Sequence, residues 1–340
     1  MAQNSRRERT GWRKPLRIEK GALLGDPCFL CEPLRVLFHD PELDFVPHLL
    51  DTRQMPRPST PDDGPSFKGW ARPGPVPPGG VELEPGETLD GLCGHWRIFQ
   101  LAKGNRFSTD DLVTAWYGTT WCPRATRIAD LGSGIGSVAL LAAWRCAGAV
   151  AHTVEAQEES LRLARKSIRY NGQDGRVYPR LGDLRDPGLF ADEAPFDLVL
   201  GTPPYWPEGH RLPAAHAQSV PARLELRGSI ADYAQAAIRL LAPGGMFACV
   251  FPNDQRERAL AALRDAGLLC LHRREIIFKE GDPYGLDVFA AARRQDLPGD
   301  FEQRAQCPEV ESPVLIRRAD GSVDPGIARV RLALGFPPGL

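Results

Sequence analysis

Arg127-Ile128-Ala129-Asp130-Leu131-Gly132-Ser133-Gly134-Ile135-Gly136 sets a short apolar run against three glycines at alternate positions. The run reads as a buried parallel strand, and the glycines as a loop that turns without a Cβ penalty and lets backbone approach a ligand closely. Ser137 to Ala147, which follows, is apolar on most faces and reads as a buried helix. Strand, glycine loop and helix in that order are the context in which such a loop is informative. The spacing is G-x-G-x-G, whereas the dinucleotide fingerprint needs G-x-G-x-x-G and position 137 is Ser. No G-x-x-x-x-G-K-[ST] occurs, which excludes a P-loop.

Downstream, strand and helix signals alternate at short spacing, the mark of a parallel sheet wrapped by helices. Val150 to Val154 is the second strand. Glu158 to Tyr170 is a helix with Leu161, Ala164 and Ile168 on one side, stopped by Asn171-Gly172. Arg176 to Leu181 and Phe196 to Leu200 are strands three and four, and Met246 to Phe251 is strand five. Before strand five, Ser229 and Asp232 cap a helix with Ile230, Tyr233, Ala237 and Leu240 inward; after it comes a helix from about Asp254 to Ala266. Leu268 to Phe278 and Leu286 to Ala292 read as a terminal antiparallel pair. Upstream, Thr88 to Leu92 and His95 to Leu101 resemble two short strands, and Ser108-Thr109-Asp110-Asp111 is a capping-box pattern opening a helix. Lys103 to Phe107, just before it, puts a basic and an aromatic residue where they could close over a ligand.

In an open α/β sheet, ligands sit beyond the carboxyl ends of the strands. Glu155 stands at the end of strand two, where a carboxylate can accept from both hydroxyls of a ribose; Asp183, after strand three, can meet an adenine edge. With the glycine loop they describe a nucleoside-shaped pocket whose tail end lacks a phosphate grip. That fits adenosylmethionine better than NAD. Strand four runs into Gly201-Thr202-Pro203-Pro204-Tyr205-Trp206, a rigid loop at the same edge of the sheet.

The 340 residues carry a net charge of -1, so no whole-molecule field draws in nucleic acid and any such binding rests on a local patch. No run reaches transmembrane length and the amino terminus lacks the apolar core of a signal peptide; a cytoplasmic location is expected. Residues 1–85 are Pro-rich and read as an irregular, partly disordered extension with one apolar island from Leu34 to Leu50. The arginine-rich start, from Arg6 to Lys20, reads as a solvated terminus or an RNA-contacting arm. Eight scattered cysteines read as reduced thiols. Cys28 and Cys31 form a close pair with no second pair at finger spacing, so no metal site is expected. Beyond Gln295 lies a tail with a possible hairpin about Asp320-Gly321.

The span from about Thr88 to Arg294 resembles the class I S-adenosylmethionine-dependent methyltransferases. Within them it looks most like the small-domain group that includes bacterial tRNA (adenine-N6)-methyltransferases acting on tRNA-Val. The residues carrying this are Leu89 to Leu92, Arg106-Phe107-Ser108 with Asp110 or Asp111, Asp130 to Gly136, Glu155, Asp183, Pro203 to Trp206, Ala222 to Glu225 and Leu241 to Gly245. The glycine loop and the P-G-G after a helix are widespread; the R-F-S-x-D segment and the P-P-Y-W loop narrow the group.

The resemblance implies a Rossmann-like α/β domain over 86–294, with a seven-stranded, mostly parallel sheet whose terminal strand is antiparallel, and a separate tail over 295–340. It implies S-adenosyl-L-methionine as cofactor, bound by Phe107, Asp130, Gly132, Ser133, Gly134, Gly136, Glu155, Asp183 and Thr202. Catalysis falls to Thr202, Pro203, Pro204 and Tyr205, with Trp206 and Arg223 on the substrate. The family loop reads Asn-Pro-Pro-Tyr. An exocyclic amine conjugated to a purine is a poor nucleophile, and acceptors at the first residue and the next carbonyl help by aiming its lone pair at the sulfonium methyl. Tyr205 would stack on the flipped base.

This chain has Thr202 where the family has Asn. A hydroxyl accepts a hydrogen bond but is shorter and also donates. Three readings follow: a methyltransferase for an adenine amine in structured, tRNA-like RNA, a methyltransferase for a small molecule or another amine such as a protein's, or a cofactor-binding protein with little activity. The first is the expectation taken forward.

Overall fold

The computed structural model describes residues 66–209, 216–304 and 307–338. The amino-terminal expectations (the arginine-rich start, the Leu34 to Leu50 island, Cys28 and Cys31) lie outside the described residues. A short hairpin, Ser66–Phe67 paired antiparallel with Trp70–Ala71, opens the described chain's regular structure, and a longer one follows: β1, Glu87–Cys93, and β2, Trp96–Leu101, pair antiparallel as a small sheet of their own. Helix α1, Thr109–Trp121, follows, its capping box formed by Ser108 and Asp111 as the sequence pattern requires. Then come β3 (Arg127–Leu131), α2 (Ser137–Arg145), β4 (Val150–Glu155), α3 (Glu158–Tyr170), β5 (Val177–Leu181) and β6 (Phe196–Gly201). The second half supplies α4 (Ile230–Leu240), β7 (Leu241–Pro252), α5 (Arg256–Asp265), β8 (Leu268–Lys279) and β9 (Gly285–Arg293). The tail adds β10, Glu309–Arg317, and α6, Pro325–Ala333.

The large sheet runs β10-β8-β9-β7-β6-β3-β4-β5. Strands β5, β4, β3, β6 and β7 are mutually parallel, and β9 is antiparallel to both β7 and β8. The expected seven strands and their antiparallel terminal member are all present. An eighth, β10, lies parallel against β8 at the edge. It was not foreseen because it alternates charge with apolar residues and contains Pro313. The pairing slips one residue there, from Arg274↔Glu311 to Ile276↔Val314, and an irregular edge position is where a strand tolerates proline. The expected turn at Asp320-Gly321 closes by Arg318 N donating to Ser322 O at 2.9 Å.

Period-2 burial decides which helix covers which face. Ala129, Leu131, Val199, Phe247, Cys249, Phe251 and Phe289 share one apolar cluster with Ile230, Tyr233, Ala237 and Leu240 of α4 and with Ala259 and Leu263 of α5. The alternate residues Leu198, Leu200 and Ala248 meet α1 at Gly118, where a Cβ would come within 2.4 Å of Leu200. With helices on both faces, β7 and β9 are buried almost throughout. The β1–β2 hairpin is fastened to α3: Phe99 N donates to Ser167 Oγ, and Asn171 bonds both the N–H and the C=O of Arg97. Among the described residues no helix is long and apolar enough to cross a membrane.

Candidate active site

Connections leave β3 toward β4 and β5 on one side and return to β6 and β7 on the other. The carboxyl ends of β3 and β6 therefore flank a topological switch point, where open α/β sheets bind ligands. A cleft of about 830 Å³, measured out to its open mouth, lies there. Its walls are Gly132 to Ile135, Glu155 to Gln157, Gly182 and Leu184, Thr202 and Pro204, Asn105 to Phe107, and Pro221 with Ala222, Arg227 and Gly228.

The glycine loop is shaped by what lies under it. Gly132 has φ +61° and a Cβ there would stand 2.0 Å from the hydroxyl of Tyr233, which α4 presents beneath the loop. At Gly134 a Cβ would meet nothing within 4 Å, so the bare backbone faces open space. Its N–H donates to Glu155 Oε2 at 2.8 Å, and Gln157 N donates to Oε1 at 2.7 Å. Burial raises the pKa of Glu155, and these N–H groups oppose the shift. A carboxylate has about four acceptor positions, so each oxygen of Glu155 keeps one more.

Asp130 is not in the wall. It is buried, accepts from Ala139 N in the first turn of α2 at 3.0 Å, and so ties the helix to the strand beneath the loop. Burial, then the charge of Asp111, raises its pKa well above the usual carboxylate range. Gly136 also sits behind the loop, as the cap of α2. Asp183 is half-exposed and clamped by its neighbour: Arg185 N and Nε both donate to Oδ1 at 2.9 Å, and Arg185 lowers its pKa. Gly182 and Leu184 line the cleft on either side of it.

The loop after β6 brings Thr202 and Pro204 into the wall opposite the glycines, with Pro203 buried between them. Tyr205 turns away. Its hydroxyl donates to Asp110 Oδ2 at 2.5 Å, its ring meets Phe251 edge-on at 5.6 Å, and its carbonyl accepts from Gln255 Nε2 at 3.1 Å. Trp206 and Arg223 are joined through the backbone, Trp206 N donating to Arg223 O at 3.1 Å, with a parallel bridge to Leu224. Both lie outside the cleft lining and the Arg223 side chain is exposed.

The methyltransferase small domain family model matches residues 119–264. The tRNA1(Val) (adenine(37)-N6)-methyltransferase of Tolumonas auensis is 31% identical over 207 residues, covering 59% of this chain and 81% of that protein. The chain belongs to this methyltransferase family. A protein of the same name from Phocaeicola vulgatus is 29% identical over 160 residues, covering 46% of this chain and 64% of its own length. Among solved structures, a predicted O-methyltransferase of Agrobacterium tumefaciens shares the fold with TM-score 0.50 at 19% identity, covering 67% of this chain and 98% of that one.

The methyltransferase's cofactor is S-adenosyl-L-methionine, and two observations show that the cleft suits it. Ser133 Oγ is buried in the wall without a hydrogen-bond partner, and Gly134 leaves room for a ligand against the main chain. Four residues that the sequence pattern did not assign complete the site of the methyltransferase. Asp111, the first-turn acid of α1, lines the cleft and accepts from Ser137 Oγ at 2.8 Å and from Ser108 N at 2.8 Å. Burial pushes its pKa up to about 6. Asp110 fixes Tyr205, and Arg227 lines the cleft while donating to Ala156 O at 2.8 Å. Gln218 links two residues of the cleft wall, accepting from Asn105 N at 2.9 Å and donating to Ser160 Oγ of α3 at 3.1 Å. Phe107, as expected, is in the wall, and its ring stacks on Phe336 of the tail at 5.9 Å. The capping box foretold where Asp111 sits; nothing local foretold Gln218. Among the described residues no three His, Cys, Asp or Glu side chains group as a metal site.

Proposed function

We propose that this methyltransferase methylates the exocyclic amine of an adenine in structured, tRNA-like RNA. The observation that carries the reading is the placement of Thr202 and Pro204 across one cleft from the glycine loop. It is supported by relatives named as tRNA1(Val) (adenine(37)-N6)-methyltransferases.

When bound, S-adenosylmethionine supplies an activated methyl group on a sulfonium. Glu155 holds the ribose through the acceptor positions its backbone partners leave open. Gly132, Ser133 and Gly134 pass the methionine portion, and Asp130 and Gly136 support them from behind. Asp183, with Gly182 and Leu184, borders the adenine, and Phe107 covers the cleft. The Thr202 hydroxyl and the Pro203 carbonyl accept the two hydrogens of the target amine. That aims its lone pair at the methyl group, help that strengthens as positive charge develops on nitrogen. Pro204 keeps the loop rigid, and Tyr205, anchored by Asp110 and packed on Phe251, holds that loop from behind rather than stacking on the base. Trp206 and Arg223 meet the RNA at the rim. Residues 86–294 form the catalytic domain, with 1–85 and 295–340 as additions to it. A cytoplasmic location accompanies an RNA-modifying role.

A second reading, an amine acceptor other than adenine, rests on Thr202 alone. Methyl transfer to unmodified tRNA separates the two. If the reading is right, Thr202→Ala lowers the rate about 100- to 1,000-fold, the usual scale for one transition-state hydrogen bond, while Thr202→Asn keeps or raises it. Equal loss in both variants would favour the other acceptor.

A further inference from the structure

A second groove, of about 590 Å³, opens beside the active-site cleft. Three guanidinium side chains line it, Arg72, Arg97 and Arg331, together with the rings of Phe67, Trp70 and Phe336. No acidic side chain lines it among the described residues. Arg72 lies over the Phe67 ring at 5.6 Å, and Arg331 over the Phe336 ring at 5.9 Å. Arg331 is half-buried, gives its Nε to Pro337 O at 3.0 Å, and touches no carboxylate among the described residues. Burial and then the charge of Arg317 lower its pKa, so an anion would relieve a cost already present. His95 stands beside the same groove and feels the positive charges of both Arg72 and Arg97, after burial, as a lowered pKa.

The groove adjoins the active-site cleft. Phe336 forms its wall and stacks, at an interplanar angle of 16°, on Phe107, which lines the cofactor cleft. A strand leaving the cleft over Phe107 therefore enters a channel with cationic forks and flat apolar rings. That combination suits a single-stranded polynucleotide: arginine pairs bidentately with phosphate, and bases stack on aromatic faces whatever their sequence. On a chain of net charge -1 it is a local patch that answers the absence of a general positive field.

We propose that the groove between the Trp70 hairpin, β2 and the carboxyl end of α6 binds the sugar-phosphate backbone of unpaired RNA adjoining the target base. Arg72, Arg97 and Arg331 engage phosphates, and Trp70 receives a neighbouring base. The proposal rests on the RNA reading above and assigns it a second contact surface, one made of residues outside 119–264, where the family model matches.

The test uses the full chain and an unmodified tRNA transcript. Binding is measured by fluorescence anisotropy over a range of salt concentrations, for the wild type and for Arg72→Gln/Arg331→Gln. Two phosphate contacts on a single strand contribute about 1.4 to the slope of log affinity on log salt. The double variant is expected to lose that much slope and at least tenfold in affinity at moderate salt, with S-adenosylmethionine binding unchanged. Should the variant fail to fold, photocrosslinking of 4-thiouridine-substituted RNA to the wild type, followed by peptide mapping, reads the same contact; crosslinks are expected within 66–97 and 329–338. Wild-type methylation of RNA with unchanged slope and affinity in the variant, or crosslinks confined to residues 1–65, would overturn the groove and leave the function standing. A wild type that neither binds nor methylates RNA would overturn both.

Discussion

Replacing Glu155 by Gln changes one oxygen to an amide nitrogen and almost nothing in volume. The consequence can be worked from the two bonds the carboxylate makes. Gly134 N and Gln157 N each donate to a different oxygen. The amide keeps one acceptor atom, so one of these N–H groups must face an NH2. Of the two acceptor positions left for a ribose, at most one remains, and it carries no charge. A hydrogen bond to a charged group contributes about 1.5–3 kcal/mol. Losing one and weakening another gives roughly 2–4 kcal/mol, a fall in cofactor affinity of about 30- to 1,000-fold. Glu155 already bears a desolvation cost, visible as its raised pKa, and the neutral amide removes it. The fold of the apo protein should therefore change by no more than about 1–2 kcal/mol. Calorimetry with S-adenosylmethionine on protein whose melting has been checked measures the effect. An affinity within threefold of wild type would refute the assignment of Glu155 to the ribose.

Other expectations follow from the same geometry. Gly132→Ala puts a Cβ against the Tyr233 hydroxyl at a left-handed φ, at a cost of about 1–2 kcal/mol in backbone strain and a similar amount in overpacking; thermal melting should fall, cofactor binding should be lost, and Tyr233→Phe should recover part of the stability. Tyr205→Phe frees the ring from Asp110 and leaves that buried acid without its hydroxyl partner; kcat should drop about tenfold while the cofactor Kd holds, and an unchanged kcat would remove the anchor from the account. Asp111 titrates near 6 in the folded protein against 3.8 for an ordinary aspartate. Between those values the folded state holds a proton that the unfolded state has released, so this group's contribution to stability is fully present below about pH 4 and is lost as pH rises through 6. The decline for this group amounts to about 3 kcal/mol. Denaturant titrations across that window should show Asp111→Asn with a flatter profile than wild type.

What was legible in the sequence is what local pattern encodes. Apolar runs bounded by Gly, Asn-Gly and Pro-Gly gave β3 through β9 to within a residue or two at most ends; β3, β4, β6, β7 and β9 are buried on both faces and have few polar positions to confuse the period, while β5 and β8 are only partly buried. The main exception was β7, which begins at Leu241, inside the Pro-Gly-Gly turn expected to precede it. The edge strand β10 was not legible: it is mostly exposed, and its fixed position comes from partners far away in sequence. Glu311 takes hydrogen bonds from Tyr117 of α1 and Arg274 of β8, while Val314 is the residue it buries most deeply. The cofactor acids were placed in the right neighbourhood by their order after successive strands. Whether each side chain enters the cleft depended on competitors the order cannot show. Ala139 N takes Asp130 inward and Arg185 takes Asp183 sideways, whereas Glu155 stays in the wall. Tyr205 was read as a stacking face, but its orientation is set by Asp110, 95 residues earlier.

The central claim is methyl transfer from S-adenosylmethionine to an adenine amine in RNA. The direct measurement is incubation of the full chain with radiolabelled cofactor and total RNA from a strain lacking the gene, followed by nucleoside analysis. The account predicts label in N6-methyladenosine from the tRNA fraction, lost with Glu155→Gln and strongly reduced with Thr202→Ala. Label in a different nucleoside, or none in RNA from a protein that binds the cofactor, would contradict it.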